Sequence, residues 1–240
     1  MQKLFTDKIT GDTILLDGES ATHIAKSLRM RVGDMLTVTD GSGEDYGCII
    51  EEITKSTVLL KVCYKQANES EPSCKVTIYQ GVPKASKLED VIQKCVELGA
   101  TRIVPTLTKR CVSRPDDKQA QKKNQRYQKI ALEAAQQSGR GIIPEVSQMT
   151  ILKNAIENDD SEVKIVFYEG GGEKLKEIIK SDCKSVSVYI GSEGGFEKEE
   201  VELIERFGGV RATLGKRILR TQTAPVAALS AIMLLTGNLE

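Results

Sequence analysis

The sequence predicts an α/β fold in which a small β domain precedes a larger domain built on a mostly parallel sheet. Short alternating or β-branched runs dominate the first third of the chain, whereas strands alternate with helices after it. Such alternation indicates a parallel sheet with helical crossovers. The stretch Gln66–Ser73 is polar, contains a proline and lacks periodicity, so it is the expected linker. We therefore predict domains at residues 1–70 and 73–240.

The first domain is expected to be a small antiparallel β unit interrupted by one helix at about residues 20–28. The glycine-rich segment Gly41–Gly47 lies between two of its strands and has the spacing G-x-G-x-x-x-G. A hairpin turn explains these glycines better than a dinucleotide loop, whose glycine spacing differs. The predicted strands of this domain are Thr13–Leu16, Met35–Thr39, Gly47–Thr54 and Thr57–Tyr64.

The second domain begins with a predicted strand and a helix that carries Leu88, Val91, Ile92 and Cys95 at the spacing of one helix face and ends at Gly99. Its predicted strands are Lys75–Gln80, Arg102–Leu107, Val163–Tyr168, Ser185–Ile190 and Val210–Thr213. Further helices are expected at about residues 118–137, 149–158, 173–180, 197–207 and 223–236. Parallel sheets of this kind bind ligands at the carboxyl ends of their strands, so the function is expected in the loops that follow those strands.

The composition excludes several classes of protein. Of the 240 residues, 40% are hydrophobic and 28% are charged, which is typical of a globular chain rather than a disordered or fibrous one. The longest apolar stretch, Ala224–Leu235, is too short to span a membrane. No secretory signal pattern is visible, and the cytoplasm is the expected location. The single histidine, His23, and six cysteines without a C-x-x-C pair form no metal-site pattern. His23 is expected to pack or hydrogen-bond within the first domain rather than to contact RNA.

The charge is balanced overall but uneven along the chain. The formal net charge is zero, yet residues 73–150 carry a net charge of +7, against −4 before them and −3 after them. A basic segment of this kind can attract a polyanion such as RNA, or it can be an ordinary solvated helix face.

Two loops of the second domain are candidates for ligand binding. Val188–Phe196 runs from an apolar strand into a glycine-rich loop, followed by a helix with an acidic first turn. That turn stabilises the helix dipole and favours a positively charged ligand over a phosphate. The second loop, Leu214–Pro225, also follows a predicted strand. Thr221 or Thr223 can cap the helix that comes next, but capping does not explain the cations that lie beside Ile218 in this loop.

These two loops resemble the cofactor signature of the SPOUT class of S-adenosylmethionine-dependent RNA methyltransferases, as G-S-E-G-G-F at 191–196 and L-G-K-R-I-L-R-T-Q-T-A at 214–224. Over its whole length the chain resembles the RsmE family of that class, which methylates N3 of a uridine in 16S ribosomal RNA. Further matching motifs lie in order at 23–34, 84–99, 103–110 and 133–140. Cys111, Ser192 and Gln222 stand where the family usually has serine, proline and glutamate. Gln222 can still form hydrogen bonds, so we expect it to hold the cofactor loop or orient Arg220 less strongly than the usual glutamate, without loss of activity.

The resemblance implies a PUA-like β-barrel at residues 1–70 and a SPOUT domain with a carboxyl-terminal trefoil knot at 73–240. It also implies a homodimer in the cytoplasm, with no metal and no membrane association. The implied partner is 16S ribosomal RNA or the small ribosomal subunit, and the implied cofactor is S-adenosylmethionine. The residues expected to bind the cofactor are Tyr168, Glu169, Gly170, Gly171, Ile190, Gly191, Glu193, Gly194, Gly195, Leu214, Gly215, Ile218, Leu219, Arg220, Thr221, Thr223 and Ala224.

The resemblance also leads to roles for charged residues. Arg220 is always cationic, so it cannot act as a base, but it can stabilise negative charge on the uracil carbonyls. Glu193 is a candidate base, and proton loss to water is the alternative. The residues expected to bind RNA are Arg29, Arg31, Lys84, Lys87, Lys109, Arg110 and Arg140.

Two other functions remain open at this point. The cofactor loops are shared across the SPOUT class, so a different RNA methylation, such as ribose 2'-O methylation, would use the same signature. A noncatalytic RNA-binding assembly factor with a degenerate pocket is the other alternative. Analysis of the methylated nucleoside separates the first alternative from uridine-N3 methylation, and failure to bind the cofactor would support the second.

Overall fold

A computed structural model describes residues 3–9 and 11–239. Its contacts divide the chain into two compact units, one made of Met1–Glu71 with Ala135–Ile143 and the other of Pro72–Ala134 with Pro144–Glu240. The segment Ala135–Ile143 therefore groups with the first unit, although it is remote from that unit in sequence. Each unit has its own sheet and is described separately.

The first unit contains a five-stranded sheet in the order β1-β3-β4-β5-β2. Strand β1 pairs with β3 in parallel, and the other pairings are antiparallel. Apolar side chains that alternate along the strands, such as Ile14, Leu36 and Leu60, form a fully buried core with Ile24 from the helical segment. The strands are β1 Lys3–Phe5, β2 Thr13–Asp17, β3 Met35–Thr39, β4 Glu44–Ile53 and β5 Thr57–Ala67.

The helix and the hairpin of this unit were both predicted. The helical segment begins as α1, Gly18–Thr22, and continues as a π-helical turn, His23–Ser27. Gly41 and Gly43 adopt positive φ in the turn between β3 and β4, which confirms the hairpin. His23 does not pack in the core: its side chain is exposed, because it lies on the outer side of the helical segment whose inner side carries Ile24.

The second unit contains an eight-stranded sheet in which all pairings between the described strands are parallel. The main order is β11-β13-β10-β12-β6-β7-β8, and β9 also pairs with β7. The strands are β6 Lys75–Gly81, β7 Arg102–Leu107, β8 Glu145–Val146, β9 Thr150–Ile151, β10 Val163–Phe167, β11 Glu173–Lys174, β12 Ser185–Ile190 and β13 Gly209–Thr213. Strands β6 and β12 lie at the centre and are almost wholly buried, as expected of a sheet covered on both faces.

Helices connect these strands, largely at the predicted positions. They are α2 Lys87–Glu97, α3 Asp117–Ser138, α4 Leu152–Glu157, α5 Leu175–Ile178, α6 Lys198–Arg206 and α7 Ala224–Leu235. Two predicted helices, at 149–158 and 173–180, instead begin with the short strands β9 and β11. Strands of two residues are too short to produce an alternating pattern, so periodicity cannot predict them. Among the described residues, no helix is long and apolar enough to cross a membrane.

Candidate functional site

A cavity of the second unit lies at the carboxyl ends of β10, β12 and β13, where a ligand site was expected. Its volume is about 460 Å³, within the usual range of about 300–1,000 Å³ for small-molecule sites. Three loops supply almost all of the lining, and the start of α2 adds one residue. The lining residues are Lys87, Phe167, Tyr168, Glu169, Ile190, Gly191, Ser192, Glu193, Gly195, Ala212, Thr213, Leu214, Gly215, Lys216, Arg217, Ile218, Leu219, Arg220, Thr221, Gln222 and Ala224.

The glycine-rich loop after β12 folds into a tight turn that only glycine allows. A Cβ atom on Gly191 would lie 2.7 Å from the backbone carbon of Gly195, and Gly195 has a φ of +69°. The backbone N–H of Gly195 donates to the carbonyl of Ser192 at 2.9 Å and closes the turn. The peptide groups of this loop are thereby presented to the cavity without intervening side chains.

Arg110 holds the same loop from outside. Its guanidinium donates to the carbonyl oxygen of Gly194 at 2.7 Å and to both carboxylate oxygens of Glu197 at 2.9 and 3.3 Å. The hydrogen bond from Arg110 lowers the pKa of Glu197 below its ordinary value. Arg110 was expected to bind RNA, but in the structure its guanidinium fastens the loop to the start of α6.

Glu193 is fastened in a similar way to the start of α2. Its carboxylate accepts from Lys87 Nζ at 2.7 Å and from the backbone N–H of Lys84 at 3.1 Å. Burial raises the pKa of Glu193, but the bonds from Lys87 and the backbone lower it more, and the net pKa lies below its ordinary value of 4.5. A carboxylate with a lowered pKa is a poor proton acceptor, which argues against Glu193 as the general base.

The loop before α7 contributes most of the cations around the cavity. Arg220 lines the cavity and its side chain is exposed. Lys216 and Arg217 are also exposed, and Ile218 is 90% exposed at the cavity mouth. In the part of the chain that the structure describes, no ion pair is formed by Arg220, so its guanidinium is available to a ligand.

The expected threonine cap is absent from α7. Thr223 occupies the N-cap position, but its side chain makes no capping hydrogen bond. The hydroxyl of Thr221 donates instead to the carbonyl of Gly191 at 2.8 Å and joins the two cofactor-type loops. The prediction that one of these threonines caps the helix was therefore wrong, because Thr221 serves a contact that is remote in sequence.

Most residues predicted to bind the cofactor line this one cavity. Those outside its lining are Gly170, Gly171, Gly194 and Thr223. Gly170 packs behind the Tyr168 ring, since a Cβ atom there would lie 2.6 Å from Tyr168 Cε1. The lining residues that sequence reasoning missed are Lys87 (assigned to RNA instead), Phe167, Ser192, Ala212, Thr213, Lys216, Arg217 and Gln222. All but Lys87 lie within two positions of a predicted residue, in the same loops or at the strand ends that lead into them.

The residues predicted to bind RNA belong to both units, and Lys84, Lys87, Lys109 and Arg110 each contact the glycine-rich loop or the first turn of α6. Arg29, Arg31, Lys84 and Lys109 are exposed. Arg140 contradicts its prediction: it is only 3% exposed, and its guanidinium pairs with Glu71 at 2.6 and 3.2 Å. A guanidinium buried in the first unit cannot reach a phosphate, so this residue supports the fold instead.

Two lining residues have a buried side-chain oxygen without a hydrogen-bond partner among the described residues: Ser192 Oγ and Gln222 Oε1. Buried polar atoms are rarely left unpaired in proteins, so both indicate a polar ligand. Gln222 Oε1 can only accept and therefore needs a donor, whereas the Ser192 hydroxyl can donate or accept. S-adenosylmethionine has such donors in its ammonium and adenine amino groups, and the residues present fit it. Among the described residues no cluster of His, Cys, Asp and Glu could hold a metal ion.

Comparison with known proteins matches both units to families. A family model described as an RNA methyltransferase domain matches residues 69–233, and one described as an RNA methyltransferase PUA domain matches residues 16–63. The chain is 37% identical over 228 residues to a Bacillus subtilis protein named ribosomal RNA small subunit methyltransferase E, which covers 92% of this chain and 89% of that protein.

Two solved structures are also similar over nearly the full length. One is a ribosomal RNA small subunit methyltransferase E from Neisseria gonorrhoeae bound to S-adenosyl methionine, with 28% identity, a TM-score of 0.90 and 98% coverage of both chains. The other is a putative methyltransferase from Legionella pneumophila with bound SAM, with 29% identity and a TM-score of 0.88 over 97% of this chain and 96% of that one.

Proposed function

The chain belongs to the ribosomal RNA small subunit methyltransferase E family, and on this premise we propose that it transfers a methyl group from S-adenosylmethionine to N3 of a uridine in 16S ribosomal RNA. The observation that carries the proposal is the meeting of three strand-end loops around one cavity whose buried Ser192 and Gln222 oxygens lack partners. Two of these loops, at 191–196 and 214–224, carry the cofactor signature in the sequence.

The cofactor supplies an activated methyl carbon, and the chain must hold both reactants. The backbone of Gly191, Leu214 and Leu219 would hold the polar edge of the adenine, and Leu219 with Ile218 would cover its face. Ile218 is 90% exposed, so a ligand that it covers would remove apolar surface from water. The carboxylate of Glu169 lies at the same cavity and favours a ligand with positive charge, whereas that of Glu193 is already paired with Lys87.

Arg220 is the catalytic residue of this proposal. Loss of the N3 proton spreads negative charge over the uracil carbonyls, and the fixed positive charge of Arg220 stabilises it. Glu193 is not required to take the proton, because its carboxylate is already engaged by Lys87. The proton passes to water, and the chain contributes by orienting the base and stabilising its anion.

The RNA is bound by exposed cations of both units. Arg29 and Arg31 belong to the PUA-like unit, whereas Lys84 and Lys109 lie near the loops of the methyltransferase unit. The partner is the small ribosomal subunit or its 16S RNA, and the enzyme acts in the cytoplasm. The active form is a homodimer, and the carboxyl-terminal part of the chain forms a trefoil knot of the SPOUT type. These features rest on family resemblance, and light scattering tests the dimer directly.

The decisive experiment transfers a labelled methyl group from S-adenosylmethionine to small subunits that lack the modification, followed by nucleoside analysis. We expect labelled 3-methyluridine with the wild-type protein and a strongly reduced yield with Arg220→Ala. Labelled 2'-O-methylribose would instead assign a different chemistry to the same pocket. If the protein binds the cofactor but transfers no label, the small subunit is not its substrate. If it binds no cofactor, a noncatalytic RNA-binding protein is favoured.

A further inference from the structure

Gln80 is a completely buried polar residue beneath the cofactor cavity, near the end of β6. Its side-chain Nε2 donates to Thr221 Oγ1 at 3.0 Å, to the carbonyl of Gly81 at 3.0 Å and, less closely, to the carbonyl of Gly191 at 3.3 Å. Gln80 does not itself line the cavity, but Gly191 and Thr221 both do. It therefore contacts the two cofactor loops from behind.

The direction of each hydrogen bond in this cluster follows from the atoms present. Carbonyl oxygens can only accept, so the amide NH₂ group of Gln80 must face Gly81 and Gly191. The hydroxyl of Thr221 gives its single proton to the carbonyl of Gly191 at 2.8 Å and so accepts from Gln80 through a lone pair. Glutamine supplies two donors at this point, which neither glutamate nor methionine can do.

This cluster connects three segments that are far apart in the sequence. Gln80 is separated from Gly191 by 111 positions and from Thr221 by 141. The end of β6 also approaches the glycine-rich loop closely, because a Cβ atom on Gly81 would lie 2.5 Å from the backbone nitrogen of Ser192. The spacing between the two cofactor loops is thus set at the end of β6.

We propose that Gln80 is a positioning residue for the cofactor site, acting through Thr221 and Gly191 to hold the two loops at the spacing that the cofactor requires. The inference rests on the proposed function and names a residue outside the cofactor signature. A site held in its binding geometry loses less conformational entropy when the ligand arrives. Gln80 therefore contributes to cofactor affinity without touching the cofactor.

The test measures binding of S-adenosylhomocysteine by calorimetry to the wild-type protein and to Gln80→Met, which keeps the side-chain length but removes both donors. We expect the dissociation constant to rise about tenfold, as for the loss of one or two buried hydrogen bonds. Thr221→Val should have a similar effect, whereas Thr221→Ser keeps the hydroxyl and should stay within about threefold of wild type. The Gln80→Met/Thr221→Val double variant should lose less than the product of the single losses, because the two residues share one network.

Gln128→Met is the matched control, since Gln128 also bridges backbone groups, at Pro144 and Val146, away from the cavity. It should lower the melting temperature and leave cofactor affinity unchanged. Wild-type affinity in a folded Gln80→Met protein, or equal losses of affinity in Gln80→Met and Gln128→Met, would overturn the inference while the proposed function stands. If Gln80→Met does not fold, Gln80→Asn, which keeps the amide but shortens the side chain by one methylene, is measured in its place, and wild-type affinity in that variant overturns the inference. A wild-type protein that binds no cofactor would overturn the proposed function itself.

Discussion

Lys87 Nζ lies 2.7 Å from the Oε1 atom of Glu193. The contact joins the first residue of α2 to the glycine-rich loop across 106 positions of sequence. From the sequence, Lys87 was expected to bind RNA and Glu193 was a candidate to accept a proton. The structure pairs them with each other instead. In the structure each neutralises the other at the edge of the cofactor cavity.

Glu193→Gln should therefore reduce cofactor affinity modestly and leave methyl transfer largely intact. The Lys87 pair is about one-third exposed, and such pairs contribute about 0.2–1 kcal/mol, so the dissociation constant should rise no more than about fivefold. Glu199→Gln, which removes the exposed pair with Lys109, is the control and should change neither quantity. A fall in kcat of about 100-fold with unchanged cofactor affinity would instead identify Glu193 as the base.

The pH dependence of stability should reflect the two loop carboxylates. The pKa values of Glu193 and Glu197 are both lowered from 4.5 in the folded protein. Their contribution is thus fully present above about pH 4.5 and is lost as the pH falls through the lowered values. Melting temperatures of wild type and Glu193→Gln/Glu197→Gln should converge as the pH falls below 4.5 and through the lowered pKa values of the two carboxylates. A constant difference between the two proteins down to the lowest pH would contradict this.

Much of the fold was predictable because its periodicity is local. Arg102–Leu107 and Ser185–Ile190 are the observed bounds of β7 and β12, and both were predicted from apolar runs between turn signals. The two-residue strand Glu173–Lys174 was not, since it exists only through pairing with β13. Strand and helix assignments thus succeeded where the pattern was long enough to repeat.

The candidate site was predictable in its loops but not in its supporting contacts. The cofactor signature located the residues from Gly191 to Gly195 and from Leu214 to Ala224. The role of Arg110 depends on an ion pair with Glu197 that forms only after folding, and a sequence shows only that Arg110 is cationic. The same holds for the buried amide of Gln80, which no charge or motif distinguishes.

Arg140→Ala should destabilise the protein rather than weaken RNA binding directly. Its guanidinium is 3% exposed and pairs with Glu71, which also accepts the backbone N–H groups of Gly141 and Ile142. Removing one partner of a buried pair costs about 3–5 kcal/mol, because it leaves the other charge uncompensated. Chemical denaturation measures the loss. Arg29 is an exposed cation of the same unit, so Arg29→Ala should weaken RNA binding with little change in stability. Weaker RNA binding in Arg140→Ala than in Arg29→Ala, without a loss of stability, would instead identify Arg140 as an RNA contact.

Gly81→Ala should impair the cofactor site through the backbone. The new Cβ atom would lie 2.5 Å from the nitrogen of Ser192 and 2.8 Å from the carbonyl carbon of Gly191, so the glycine-rich loop must shift. We expect a stability loss of about 1–3 kcal/mol together with weaker cofactor binding by calorimetry. Gly47→Ala provides the control, because its Cβ atom would meet the Tyr64 ring in the first unit. That variant should lose stability but keep its cofactor affinity, and equal affinity in both variants would contradict the prediction.

Arg220→Ala should separate catalysis from cofactor binding. The guanidinium is exposed at the cavity, and its charge is proposed to stabilise the uracil anion rather than to hold the cofactor. The loss of such an electrostatic group lowers kcat by about 100- to 1,000-fold, whereas the dissociation constant for S-adenosylhomocysteine should change by less than about threefold. Arg220→Lys keeps the positive charge but not the planar pair of donors, so its kcat should lie between those of the wild type and Arg220→Ala. Arg206→Ala removes an exposed cation at the end of α6 and should leave kcat unchanged. Equal losses of kcat in Arg220→Ala and Arg206→Ala would mean that Arg220 contributes only to the general positive charge that attracts RNA.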